Sequence, residues 1–308
     1  MSVAVLLLAH GTPDEISEIP DYLRNITGGR PVPDSVIAEI SHRYSQIGRS
    51  PLTEITLRQG KLLSERLKIP VYVGMRNWKP YIADVTDRMR SAGIRRCVAI
   101  CLAPQNSRTS VGLYRDAVNK NAEGLEVEFI EAWHNHPLLI EAFADRLQAA
   151  RAKMGRLPPV IFTAHSVPTR TIAEGDPYEQ QAQETGALVA RKVGMHKWQW
   201  RFAFQSQGMS GGPWIGPTVE ETMLRLKEEG HRRVLIQPVG FVCDHVEVLY
   251  DIDVAFREYG SSIGIETARA ESLNDSTLFI AALADLVDAR LQKPKVEPMQ
   301  STSRIDAH

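Results

Sequence analysis

Short apolar runs rich in β-branched residues alternate with longer segments in which apolar positions recur every three or four residues. VAVLLLA (3–9), VYVGM (71–75), CVAICLA (97–103) and VEFIEAW (127–133) read as four buried strands. Between them, 54–68 and 80–92 carry the helical spacing. VIFTAHS (160–166), WRFAFQS (200–206) and RVLIQPVG (233–240) begin a second set, with helices near 178–193 and 217–230 and a last helix over 273–292 that is apolar on one face. This alternation predicts βαβ units and parallel sheets, in two halves of similar architecture. The basic, proline-ended RAKMGRLPP (151–159), after a helical stretch at 138–150, is the expected hinge. It divides the chain into lobes at 1–150 and 151–292. The tail 293–308 holds almost nothing that could be buried and is expected to be disordered.

In open parallel sheets, ligands sit beyond the carboxyl ends of the strands, where loops vary without disturbing the core. That rule selects His10-Gly11-Thr12-Pro13, the loop 103–107, His165-Ser166-Val167-Pro168, the loop 205–208, and the stretch GFVCDHVEVLYD (240–251). His165 offers a ring nitrogen to a metal or a proton near neutral pH, though a structural hydrogen-bonding histidine fits the same position. Glu247 and Asp251 are four apart, so a helix starting near 244 would set both on one face, where a solvated acidic face is the plainer reading. His134 and His136 have a metal-like spacing but suit a solvent-facing turn. His245 is expected to hold the loop that carries Glu247.

Composition narrows the classes. At 308 residues, 43% hydrophobic and 24% charged, the chain is an ordinary globular protein. A formal net charge of −1 supplies no basic field for nucleic acid, so no such partner is expected. The run 3–9 lacks a cationic lead and is too short to span a bilayer, which points to a cytoplasmic protein without an integral membrane segment. Three cysteines, Cys97, Cys101 and Cys243, are too few for an all-cysteine iron–sulfur cluster, and core thiols are the favoured reading. No GxGxxG follows the first strand, no GxxxxGK[ST] loop occurs, and AHSVP lacks the GxSxG elbow.

Several segments together carry a resemblance: LAHGTPD (8–14), HRYSQIGRSPLTEIT (42–56), TAHSVP (163–168), GDPY (175–178), FQSQGMSGGPWIGP (204–217) and PVGFVCDHVEVLYDID (238–253). In order and spacing the chain resembles ferrochelatases, which insert ferrous iron into a porphyrin, from residue 5 to 292. YLRNITGGR and HRYSQIG-RSPL look more like the compact bacterial enzymes that use coproporphyrin III than like those that use protoporphyrin IX. The resemblance implies an α/β fold of two Rossmann-like, chelatase-type lobes, each a parallel sheet flanked by helices, with the active-site cleft between them. It also implies a lyase of haem biosynthesis acting as a monomer, with Fe2+ as substrate and no tightly bound cofactor.

Residue by residue, His165 and Glu247 match the family's catalytic histidine and glutamate, which face the metal. Asp251 matches an acidic position on a route for metal or protons. Arg43, Tyr44, Ser50 and Tyr114 match the substrate side, where a guanidinium fork suits a propionate. Trp214 is a candidate wall of the cleft, with core capping as the alternative. His10 departs from the pattern, standing where the compact enzymes carry a tyrosine opposite His165. An imidazole there is expected to ligate iron in the product, unless it only hydrogen-bonds the Ser107 loop. Thr27 and Gly28 replace a basic pair and Gln105 a histidine, so one propionate anchor is expected to be either missing or supplied by Arg30. A non-catalytic metal or haem carrier of the same fold is the alternative function. Retention of both His165 and Glu247 favours the enzyme.

Overall fold

A computed structural model describes residues 2–155, 157–208 and 212–292; the tail 293–308 lies outside the described residues. Val3–Ala9 (β1), Val71–Met75 (β2), Arg96–Cys101 (β3) and Glu126–Ile130 (β4) form one parallel sheet in the order β2-β1-β3-β4. Val160–His165 (β5), Trp200–Gln205 (β6), Arg233–Pro238 (β7) and Glu266–Arg269 (β8) repeat that order as β6-β5-β7-β8. β1 is a continuous apolar run because it is central and covered on both faces. Its alternation splits it: Val5, Leu7 and Ala9 face one core, while Ala4, Leu6 and Leu8 face another with Val85, Met89 and Val111.

β8 is absent from the sequence reading. Glu-Thr-Ala-Arg has no apolar period, and its pairing comes from β7, with Val234 opposite Thr267. A short, charged strand at a sheet edge is protected against pairing with other chains, and the same property hides it from hydropathy.

Helices fill the connections: Ile19–Ile26 (α1), Asp34–Ile47 (α2), Leu52–Leu67 (α3), Ile82–Ser91 (α4), Val111–Asn121 (α5) and Pro137–Lys153 (α6). In the second half they are Thr169–Ala173 (α7), Tyr178–Lys192 (α8), Val219–Glu228 (α9), Val246–Leu249 (α10), Arg257–Ile263 (α11) and Thr277–Leu291 (α12). α6 runs on to Lys153, into the stretch read as a hinge. α9 starts on a reciprocal cap, in which Glu221 N–H donates to Thr218 Oγ1 (3.1 Å) and Thr218 N–H to Glu221 Oε2 (2.9 Å).

The halves are tied by exchanged helices. α6 follows the first sheet but packs on α8, and α12 follows the second sheet but packs on α3 and α6. One apolar core consequently contains Val5 and Ile100 of the first sheet, Phe162 and Leu235 of the second, and Phe143 and Phe279 of the exchanged helices. Gln105 lies in this junction and not at a substrate surface: it is 2% exposed and its Nε2 donates to Thr185 Oγ1 (3.1 Å) and the Val239 carbonyl (3.0 Å). His134 is likewise no solvent-facing residue. At 8% exposure its Nε2 meets Glu184 of α8 at 2.9 Å, and His136 pairs with Asp285 of α12 at 3.0 Å.

Candidate active site

In both sheets the chain reverses its direction of winding between the first strand and the third. The carboxyl ends of β1 and β3, and of β5 and β7, thus each open a crevice that no crossover helix covers. His10 follows β1, His165 ends β5 and Glu247 follows β7, so each of these strand-end residues stands at such a crevice.

On the second-half wall, His165 Nδ1–H donates to the Ser166 carbonyl, so in the neutral imidazole Nε2 is the nitrogen that keeps its lone pair. That nitrogen is 3.7 Å from Glu247 Oε1, too far for a hydrogen bond and close enough for charge to be felt. The ring lies among Trp214 (centroids 6.3 Å apart) and Phe241 (6.5 Å), and Tyr178 hydroxyl anchors its backbone by donating to the His165 carbonyl (2.9 Å). His245 Nε2 is 3.7 Å from Glu247 Oε2, and its Nδ1 donates to the Cys243 carbonyl at 3.0 Å, so it braces the loop as expected. Burial by itself would raise the Glu247 carboxyl. The His165, His245 and His10 rings outweigh it and hold the group down to about 2.

Glu247 and Asp251 do not share a uniform helix. α10 gives way to a π-helical turn, Asp251–Phe256, where Ala255 N–H reaches back to the Tyr250 carbonyl at 2.9 Å. Asp251, 6% exposed, receives the Ser206 hydroxyl and lies 3.5 Å from Arg43. Burial pushes its carboxyl up to about 6, against the Ser206 bond and with the Glu247 charge adding to the rise. Among the described residues no three His, Cys, Asp or Glu side chains form a metal cage, so His165, Glu247 and Asp251 are not gathered around one point.

The opposite wall comes from the first half. Arg43 reaches across from α2 to Asp251, pairs with Glu39 at 2.5 Å and covers the Tyr250 ring at 5.3 Å. Ser50 is 3% exposed and its hydroxyl has no partner among the described residues, while Tyr44 is buried with its hydroxyl 2.8 Å from Thr12 Oγ1. Tyr114 is buried under the Arg76 guanidinium, 5.1 Å from ring centroid to Cζ. Arg30 instead turns back on its own loop, donating to the Thr27 carbonyl at 3.0 Å.

Among the described residues His10 makes no hydrogen bond to the Ser107 loop. Its Nδ1 faces the Gly11 carbonyl (3.2 Å) and the Tyr22 hydroxyl (3.1 Å), and its Nε2 faces Asn77 Nδ2 (2.9 Å). Burial, helped by the Arg76 charge, lowers the ring to about 4 and keeps it neutral. Arg76, Asn77 and Tyr22 were not found from the sequence, whereas Ser206 lies in the strand-end loop 205–208 selected there. Arg76 and Asn77 directly follow β2, so the strand-end rule applied to that strand as well would have selected both.

A separate groove of about 730 Å3 runs along α8 and β6, lined among others by Ile172, Gln183, Lys197, Trp200 and Phe202. None of the strand-end residues named above borders it.

The family model for ferrochelatase matches residues 2–291. The chain belongs to the ferrochelatase family. A ferrochelatase of Acidobacterium capsulatum is 57% identical, covering 94% of this chain and 95% of its own. A coproporphyrin III ferrochelatase of a Geobacillus species is 34% identical over 94% of this chain and 98% of its own. Among solved structures, SirB from Bacillus subtilis with Fe3+ superposes with a TM-score of 0.59 at 9% identity, covering 94% of this chain and 95% of that one. That likeness places the ferrochelatase chain in the two-lobed chelatase fold. No helix among the described residues is long and apolar enough to cross a membrane.

Proposed function

We propose that this cleft inserts ferrous iron into coproporphyrin III, with His165 and Glu247 as the proton-handling pair. The observation that carries the reading is the His165 ring: its tautomer is fixed by Ser166 and its Nε2 faces a carboxylate it does not bond. Such a nitrogen can accept a pyrrole proton without first releasing one. Glu247, ionised throughout the physiological range, stabilises the imidazolium that results and attracts the incoming cation. Asp251, four residues beyond Glu247 and joined to Ser206 and Arg43, would pass protons or metal outward.

Coproporphyrin III carries a propionate on every pyrrole ring, whereas protoporphyrin IX has vinyl groups on half of them. Ser50 and Arg43 offer buried polar atoms without partners among the described residues, Ser50 Oγ and Arg43 Nε, of the kind a carboxylate would satisfy. Tyr44 and Tyr114 contribute ring surface. Trp214 contributes the wall beside His165. The two lobes, 1–150 and 151–292, would close on the macrocycle in a single cytoplasmic chain holding no resident cofactor.

Anaerobic insertion of ferrous iron, followed side by side with coproporphyrin III and protoporphyrin IX, tests this. Faster turnover of coproporphyrin is expected. A preference for protoporphyrin overturns the substrate assignment, and tight binding of both without turnover makes the chain a carrier.

A further inference from the structure

The two cleft imidazoles have the same tautomer and opposite availability. Gly11 O and Ser166 O can only accept, so Nδ1 carries the proton in both His10 and His165. The basic nitrogen of His165 is open. That of His10 receives an amide N–H, because Asn77 Nδ2 can only donate.

We propose that Asn77 is a positioning residue that caps the His10 Nε2 lone pair and thereby keeps this imidazole from ligating the iron of the product. The inference rests on the iron-insertion reading above. It also revises the expectation of an axial histidine, since a nitrogen donor binds iron only through a free lone pair.

Asn77 is well held for this task. It is 5% exposed, its backbone N–H donates to the His10 carbonyl (2.9 Å), and its own carbonyl receives Asn25 Nδ2 (3.1 Å). The two residues are thus tied where β1 and β2 end side by side, with Ala9 opposite Met75. The Tyr22 hydroxyl fixes the far edge of the ring. Burial and the nearby Arg76 guanidinium oppose protonation of His10, so the cap is not relieved as pH changes around neutrality. An uncapped imidazole opposite His165 would bind the metallated product and slow its departure. A phenol at the same place would need no cap, because it must lose a proton before it binds well.

The test uses the whole chain and the ferric iron complex of coproporphyrin III as probe. The wild-type complex should show an absorption spectrum without a His10 ligand, and His10→Ala should leave that spectrum unchanged. Asn77→Leu should change the spectrum to that of a complex carrying His10 as an added nitrogen ligand and release product roughly tenfold more slowly, the size of one hydrogen bond. His10→Ala combined with Asn77→Leu should remove both effects. A His10-ligated wild-type complex, or an Asn77→Leu spectrum identical to wild type, overturns the proposal. Should Asn77→Leu fail to fold, nitrogen-15 NMR of labelled histidine decides on the wild-type protein and on Asn77→Asp. Wild type must show His10 with its proton on Nδ1, and the acceptor-only aspartate must draw a proton to Nε2. A wild-type Nε2–H tautomer overturns the cap. The NMR result is independent of turnover, so a chain that failed to insert iron into any porphyrin would remove the functional reading while leaving the tautomer standing.

Discussion

His165 Nε2 and Glu247 Oε1 stand 3.7 Å apart, delivered by neighbouring parallel strands and separated by more than a hydrogen bond. The gap leaves the imidazole lone pair for substrate and keeps the carboxylate near enough to stabilise the ring once charged. His165→Ala is expected to lower insertion by about 10²–10⁴ while porphyrin still binds, the range of a lost general base. Glu247→Gln should fall in the same direction, since it keeps the shape and loses the charge. Stopped-flow insertion alongside porphyrin-fluorescence titration checks both, and wild-type turnover in His165→Ala would end the assignment.

Asp251 has a folded-state carboxyl at about 6, above its ordinary 3.8. The folded protein therefore holds this proton more tightly than the unfolded chain. Its contribution to stability is most favourable below pH 4 and is lost as pH rises through 6. Asp251→Asn mimics the protonated form. Its stability relative to wild type should be about 2.5 kcal/mol more favourable at pH 8 than at pH 4, most of what a two-unit shift supplies. Urea midpoints of the two proteins at both pH values measure the difference, and a gap that widens towards low pH would contradict it.

Arg43 is shared between Glu39 and Asp251, so a substrate carboxylate must compete for it. Arg43→Ala is expected to raise the coproporphyrin KM roughly tenfold, the scale of one charge-assisted hydrogen bond, with a smaller effect on kcat. Ser50→Ala should act in the same sense and more weakly. Steady-state kinetics with both porphyrins would show whether the loss is confined to the substrate that carries more carboxylates.

Arg269 joins β8 to the π-helical turn through Asp253 (2.9 and 2.8 Å) and to the loop before Glu247 through Asp244 (3.1 Å). Arg269→Ala leaves two partly buried carboxylates without their cation. A loss of about 3 kcal/mol is expected, the cost typical of breaking such a pair. Urea unfolding reads this directly, and a loss below 1 kcal/mol would show that water replaces the guanidinium.

The sequence by itself determined seven of the strands, the parallel pairing and the candidates His10, His165 and Glu247, because those features are local. A doubly covered strand must be apolar along its whole length, and its carboxyl end must be where ligands are met. The fourth strand of the second sheet, Glu266–Arg269, is made by its partner β7 and has no hydropathy of its own. Only tertiary structure showed that α6 and α12 exchange sides and bury Gln105 and His134 between the halves, since which helix covers which sheet depends on packing far apart in sequence. The same holds for His10 and His165. Both stand at a strand end with the proton on Nδ1, and what separates a capped nitrogen from an open one is Asn77, 67 residues along the chain and brought to His10 by the pairing of β1 with β2. A hydrogen bond of that kind leaves no mark on periodicity or spacing, because it is written in the register between strands and not along either one.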